Sequence, residues 1–157
     1  MEQIAVITDP RETETGTNCP QQIFRSAFKA LSEGNASEIL NEFDDRFTFT
    51  DHALDLEFTE KASLNEFLQK SRELFPDAAV EVLAIFEIGD HAIAEWKVKT
   101  TEKIPCGSIS LRRPISFRGM SIARVQGQTI VEWSDYYDQV QSRRVGLAAH
   151  FTEWIEL

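Results

Sequence analysis

Apolar residues recur at helical spacing near the start of the chain. Five of them, at successive spacings of one and three residues, define one face: Ile23, Phe24, Ala27, Phe28 and Leu31. Asn18 is expected to cap this first helix, with Pro20 in its first turn. The polar, glycine-containing sequence SEGN is expected to end it.

Two further helices are predicted before the middle of the chain. A short one follows Asn35, an N-cap residue, with Glu38 at the capping-box position. A longer one ends at Phe75, because a proline follows, and it begins near Thr59 or Ser63.

The other segments alternate between apolar and polar residues, which is the period of β-strands. RFTFTD, residues 46–51, is predicted to be a strand, followed by a loop and a short strand in DHALDLEF. Four longer strands are predicted later: 78–88, 91–101, 109–125 and 129–138. Turns are expected at Gly89-Asp90, at EKIPCGS and at Gly127. Gly119, inside a long strand, is expected to mark a bulge or bend.

The order of these elements predicts the fold class. Helices followed by long antiparallel strands indicate an α+β fold, with the helices on one face of a curved sheet. Residues 18–138 are predicted to form one domain. Residues 1–17 are expected to be a flexible arm, and 139–157 a tail that packs on the domain or on a dimer interface.

Charge and composition narrow the possible partners. The 157-residue chain carries a formal net charge of −10, which argues against nucleic-acid and anionic-membrane partners. It has no apolar run of membrane-spanning length, and its start lacks a basic flank, so a cytoplasmic location is expected. Cys19 and Cys106 are expected to be free thiols, with a disulfide between them as the alternative. Neither a metal set nor a cofactor motif is present, so no metal and no cofactor are expected.

The strand VEWSDYYDQV, residues 131–140, contains the strongest candidate for chemistry. Alternation puts Trp133, Asp135 and Tyr137 on one face, so that an acid lies between two rings. Poor solvation there would raise the pKa of Asp135 toward neutrality, as a general acid or base requires. The alternative is a structural carboxylate, bonded to backbone or facing water.

Four stretches resemble a known family. They are FKALSEGNASEILNEFDDRFTFTD, EKASLNEFLQKSRELFPD, the AEW of residues 94–96, and RVQGQTIVEWSDYYD. Together they resemble the SnoaL-like polyketide cyclases of the nuclear-transport-factor-2-like superfamily, over roughly Cys19 to Asp138. The last stretch is especially similar to the closing strand of limonene-epoxide hydrolase.

The resemblance implies a cone-shaped α+β fold. A strongly curved, mixed sheet would wrap around three helices and enclose an apolar pocket for a hydrophobic small molecule. The predicted lining residues are Phe49, Trp96, Phe117 and Trp133. Relatives pair through the open sheet face, so a homodimer is expected as well.

The resemblance also assigns candidate catalytic residues. Asp135 matches the closing-strand acid that activates water in limonene-epoxide hydrolase. That hydrolase also uses an arginine and an acid, at the positions of Trp96 and Val98 in this chain, so its charge relay is absent. Its water-positioning tyrosine and asparagine align with Phe49 and Asp51.

Three polar residues near Asp135 complete the candidate set. Asp51 is a second acid or hydrogen-bond partner, with a turn-forming aspartate as the alternative. His52 is a candidate donor to an enolate, with an exposed loop histidine as the alternative. Tyr137 is a candidate donor to a substrate oxygen, unless it bonds within the protein.

Two function classes follow from the sequence. The first is a cofactor-independent enzyme that performs cyclase- or isomerase-type acid/base chemistry on a hydrophobic, carbonyl-bearing small molecule. The second is a non-catalytic ligand-binding or dimerisation module of the same fold. Epoxide hydrolysis is a weaker third hypothesis, because two of the residues it needs are replaced.

Overall fold

The computed structural model describes residues 19–106 and 109–138, and for 102–106 and 109–111 it describes only the backbone. The elements in chain order are α1 (Pro20–Glu33), α2 (Ala36–Asn41), β1 (Phe43–Asp51), β2 (Leu56–Phe58), α3 (Lys61–Leu74), β3 (Ala79–Ile88), β4 (His91–Cys106), β5 (Ile109–Gln126) and β6 (Thr129–Tyr137). The predicted arm, 1–17, and tail, 139–157, lie outside the described residues. No helix in the described part is long and apolar enough to cross a membrane.

The helix ends follow local capping rules, with one correction. Cys19, not Asn18, is the N-cap of α1, because Pro20 takes the first helical position, where its fixed φ is favourable. Gly34 ends α1 in the left-handed conformation, at φ 71°. The predicted cap of α2 is confirmed, since Asn35 Oδ1 accepts a hydrogen bond from the Glu38 N–H at 3.3 Å.

Six strands form one mixed sheet in the order β2-β1-β6-β5-β4-β3. The β1–β6 pair is parallel, and the other neighbouring pairs are antiparallel. EKIPCGS was predicted as a turn, but β4 continues through Cys106, because it pairs residue for residue with β5 as far as Ile109. The curled, open sheet around three helices is the predicted α+β cone.

Gly119 does not mark a bulge. It pairs in unbroken register with Trp96 on β4 and with Tyr137 on β6. A Cβ atom at this position would lie 2.4 Å from the Trp96 ring. The glycine therefore makes room for the Trp96 indole to approach the backbone of β5 closely.

The core beneath the sheet is rich in aromatic rings that fix Trp133. Its ring centroid lies 4.5 Å from that of Phe24 and 5.3 Å from that of Phe28, both on α1. On the β1 side Phe49 stacks against it at 5.9 Å. Trp133 is 3% exposed, so its side chain is fixed in the core by these ring contacts.

Candidate active site

A cavity of about 450 Å³ lies between the helices and the concave face of the sheet. This volume falls within the range of small-molecule sites. The structure places all four predicted lining residues in its wall: Phe49, Trp96, Phe117 and Trp133. Asp51, Asp135 and Tyr137 line the same cavity.

The Asp135 carboxyl group is held through one of its two oxygens. Oδ1 accepts a hydrogen bond from Trp133 Nε1 at 2.6 Å and a second, short one from the Ser121 hydroxyl. Within the described part of the chain, no donor bonds to Oδ2. Because Oδ1 already accepts two donors, a proton bound by this carboxyl group resides on Oδ2.

The pKa of Asp135 is raised from 3.8 to about 7. Burial is the largest cause, because it disfavours the charged form. The neighbouring carboxylate of Asp51 raises the pKa further, while the bonds from Ser121 and Trp133 lower it. A carboxyl group with this pKa exchanges protons readily near neutral pH.

Ser121 is a site residue that the sequence pattern does not reveal. It is completely buried, and its Oγ accepts a hydrogen bond from Trp96 Nε1 at 2.7 Å. An indole N–H can only donate, so the single hydroxyl hydrogen of Ser121 is left for Asp135. The chain of donors therefore runs in one direction, from Trp96 through Ser121 to Asp135.

The signal for Ser121 was hidden by an inverted pattern on β5. Near the centre of the strand Met120 and Ile122 lie on the outer face, where Met120 is 47% exposed, while Phe117 and Val125 face inward. The inward positions between these two are small, namely Gly119, Ser121 and Ala123. Small inward residues leave the volume for the cavity, whereas apolar periodicity alone favours the opposite face.

Asp51 and Tyr137 form a second polar pair in the cavity wall. The Tyr137 hydroxyl donates to Asp51 Oδ2 at 2.9 Å, and the backbone N–H groups of Ala53 and Leu54 donate to Oδ1 at 3.0 and 2.9 Å. Asp51 therefore also orders the turn after β1. Burial raises the pKa of the Asp51 carboxyl and that of the Tyr137 hydroxyl.

The two acids are neighbours because of the strand register. Asp51 pairs with Asp135 across the parallel β1–β6 contact, and the His52 N–H donates to the Asp135 carbonyl at 3.0 Å. Carboxyl groups on two paired residues do not ionise independently, because the negative charge of one disfavours ionisation of the other.

His52 does not reach the cavity. Its side chain is exposed and stacks on Tyr136, with ring centroids 4.4 Å apart. Alternation explains this placement, because the residue after an inward-facing Asp51 points to the outer face. The hypothesis that His52 donates to an enolate therefore has no geometric support.

Other candidate chemistry is limited in the described part of the chain. Trp96 and Val98, which replace the charged pair of the epoxide hydrolase, both lie in the cavity wall. No group of three or more potential metal ligands occurs among the described residues. Cys19 is a free, half-buried thiol, and the side chain of Cys106 is outside the described set.

A model of the SnoaL-like domain matches residues 24–133 of this chain, which include most of the cavity wall. The chain belongs to the SnoaL-like family. This SnoaL-like protein has the same fold as solved structures of proposed polyketide cyclases and of an NTF2-like protein. No curated protein matches its sequence.

Solved structures share the fold of the SnoaL-like chain at low sequence identity. IdmH of Streptomyces antibioticus, proposed to be a polyketide cyclase, has a TM-score of 0.71 and 16% identity, over 82% of this chain and 98% of its own. A proposed SnoaL-like polyketide cyclase from Shewanella denitrificans has a TM-score of 0.69 and 19% identity, over 82% and 97%. An NTF2-like protein from Burkholderia thailandensis has a TM-score of 0.67 and 15% identity, over 82% and 97%.

Proposed function

We propose that this SnoaL-like protein is a cofactor-independent enzyme that performs acid/base chemistry on a hydrophobic, carbonyl-bearing small molecule. The observation that carries this proposal is the Asp135 carboxyl group in the wall of an apolar cavity, with Oδ1 held by two donors and Oδ2 left for a ligand. Its pKa of about 7 makes both protonation states available near neutrality.

The proposed reaction begins with removal of a proton from the carbon next to the carbonyl group. Asp135 Oδ2 takes the proton, the C–H electron pair becomes the double bond of an enolate, and the carbonyl pair moves to oxygen. Return of the proton to a different carbon gives an isomer. Attack of the enolate carbon on a second carbonyl gives a ring, and its alkoxide oxygen takes the proton back.

The neighbouring residues support this role of Asp135 in different ways. Ser121 and Trp133 fix the orientation of the carboxyl group and stabilise its charged form. Asp51, paired with Tyr137, raises the pKa of Asp135 through its charge. Tyr137 is committed to Asp51, so we do not assign it the role of substrate donor.

Hydrogen–deuterium exchange tests the proposal without knowledge of the natural substrate. A bicyclic ketone such as 2-tetralone, incubated in heavy water, takes up deuterium next to its carbonyl when a base removes that proton. We expect the protein to accelerate this exchange and Asp135→Asn to abolish the acceleration. Asp45→Asn, which alters a carboxylate that is 97% exposed, is the matched control and should be unchanged. Equal exchange by wild type and Asp135→Asn would contradict the proposal.

A non-catalytic ligand-binding role is the second candidate. It is favoured by the mainly hydrophobic wall of the cavity. In that case the ketone binds, but neither wild type nor Asp135→Asn accelerates exchange. Epoxide hydrolysis gains nothing from the site, since Trp96 and Val98 supply neither the arginine nor the acid.

We also propose that two copies pair through the outer face of the sheet. Phe86 is 61% exposed there, Met120 47% and Tyr136 44%, and apolar patches of this kind are usually covered. Light scattering at micromolar concentration should give twice the mass of the chain, and a monomer would contradict the pairing.

We also propose that the protein is located in the cytoplasm.

A further inference from the structure

The side-chain donors in the cavity wall are nearly all committed to acceptors within the protein. Ser71 donates to the Phe67 carbonyl and Thr100 to Asp77 Oδ1, both at 2.8 Å. Tyr137 donates to Asp51 Oδ2 at 2.9 Å, and Ser121 donates to Asp135 Oδ1. The indole N–H groups of Trp96 and Trp133 donate to Ser121 Oγ and to Asp135 Oδ1. These committed donors are Ser71, Trp96, Thr100, Ser121, Trp133 and Tyr137.

Two lining residues on one face of α3 keep donors available. Arg72 uses one N–H, from Nη1 to the Ala78 carbonyl at 3.2 Å, and a guanidinium has five. Gln69, three residues earlier, is exposed at the helix surface and makes no side-chain hydrogen bond to any described residue. Residues three apart are neighbours on the surface of a helix, so the two side chains can bind the same ligand group.

Arg72 is also the only cationic residue among the described residues that line the cavity. It is half-buried and forms no ion pair with a described carboxylate, in a protein with a net charge of −10. Glu73 lines the same end of the cavity, but it is exposed and solvated. An uncompensated, partly desolvated guanidinium favours an anionic oxygen acceptor.

We propose that Arg72 and Gln69 form a binding subsite for an anionic oxygen of the ligand, such as a carboxylate or a phenolate. This rests on the proposed function, since it assigns the ligand class of the same cavity. The ligand is then a hydrophobic molecule with an acidic oxygen at the last turn of α3 and its hydrocarbon body in the apolar wall. Because the deeper donors are occupied, recognition of ligand oxygen depends on this helix end.

A matched pair of ligands tests the subsite by calorimetry. 2-Naphthoate carries the anion, and 2-acetylnaphthalene has a similar bicyclic body without the charge. At about pH 6 Asp135 is mostly protonated and a carboxylic acid ligand is ionised, so the acid at the site repels the anion least. We expect wild type to bind 2-naphthoate about tenfold more tightly than 2-acetylnaphthalene, because one charge-assisted hydrogen bond contributes about that much affinity.

Charge variants distinguish a direct contact between Arg72 and the ligand anion from the effect of the overall charge of the protein. Arg72→Gln should remove the preference while leaving the affinity for 2-acetylnaphthalene within about twofold, because the hydrophobic wall that holds the bicyclic body is unchanged. Arg72→Lys should retain part of the preference. Arg25→Gln removes an equal charge from an exposed position on α1 outside the cavity and should retain all of it. Melting temperatures of the three variants show whether each is folded.

Several outcomes overturn the subsite. They are failure of wild type to bind 2-naphthoate, equal affinity for the two ligands, and a preference that survives Arg72→Gln or falls equally in Arg25→Gln. Asp135→Asn separates this proposal from the enzymatic one. It should retain the preference for 2-naphthoate even though it loses exchange activity, so each proposal can fail alone.

Discussion

Removal of the Ser121 hydroxyl group tests how the site controls Asp135. Ser121→Ala deletes one of the two hydrogen bonds that stabilise the charged form of the Asp135 carboxyl group. A hydrogen bond to a charged group is worth about 1.5–3 kcal/mol, and one pKa unit corresponds to about 1.4 kcal/mol. The lower end of that range raises the pKa of Asp135 by about one unit, from about 7 to about 8.

Carbon NMR of protein labelled at aspartate carboxyl groups measures this shift. The Asp135 signal is assigned as the one lost in Asp135→Asn, and its chemical shift is followed against pH in wild type and Ser121→Ala. Trp96→Phe should move the midpoint in the same direction by less, because the Ser121 hydroxyl remains but can turn away. An unchanged or lowered pKa in Ser121→Ala would refute the donor chain.

Two further predictions concern packing and stability. Gly119→Ala should reduce the free energy of unfolding by about 1–3 kcal/mol in urea denaturation, because its Cβ overlaps the Trp96 ring; no loss would contradict the close approach. Asp135 holds its proton to about pH 7 when folded but only to about 3.8 when unfolded, so ionisation costs stability progressively as pH rises between these values. The free energy of unfolding of Asp135→Asn should therefore exceed that of wild type by up to about 4 kcal/mol at about pH 8 and equal it near pH 4. A difference that does not change with pH would contradict the raised pKa of Asp135 as its cause.

The sequence predicted the elements and the face of β6 that carries the acid, for identifiable reasons. Helical spacing is strong in α1, and the cap at Asn35 is a local signal that needs no tertiary information. Strict alternation placed Asp135 and Tyr137 on the face that lines the cavity. Each of these features depends on residues that are adjacent in sequence.

The missed features depend on residues that are distant in sequence. The role of Gly119 follows from the Trp96 ring on another strand, and Ser121 becomes a site residue only through its contacts with Trp96 and Asp135. His52 is a candidate from sequence because it is the only histidine near the predicted site, although alternation sends it outward. Long pairing between β4 and β5 also overrode the turn expected at EKIPCGS.

Proton removal from a carbonyl compound near neutral pH, by one carboxyl group in an apolar cavity, is the reaction proposed for this protein. Its most direct test is the rate of protein-catalysed deuterium uptake by 2-tetralone, measured from about pH 5 to about pH 9. We expect the rate to rise with a midpoint near pH 7, as the Asp135 carboxylate forms, and we expect no catalysed uptake in Asp135→Asn. A rate that is independent of pH over this range, or one that Asp135→Asn retains, would contradict the proposal.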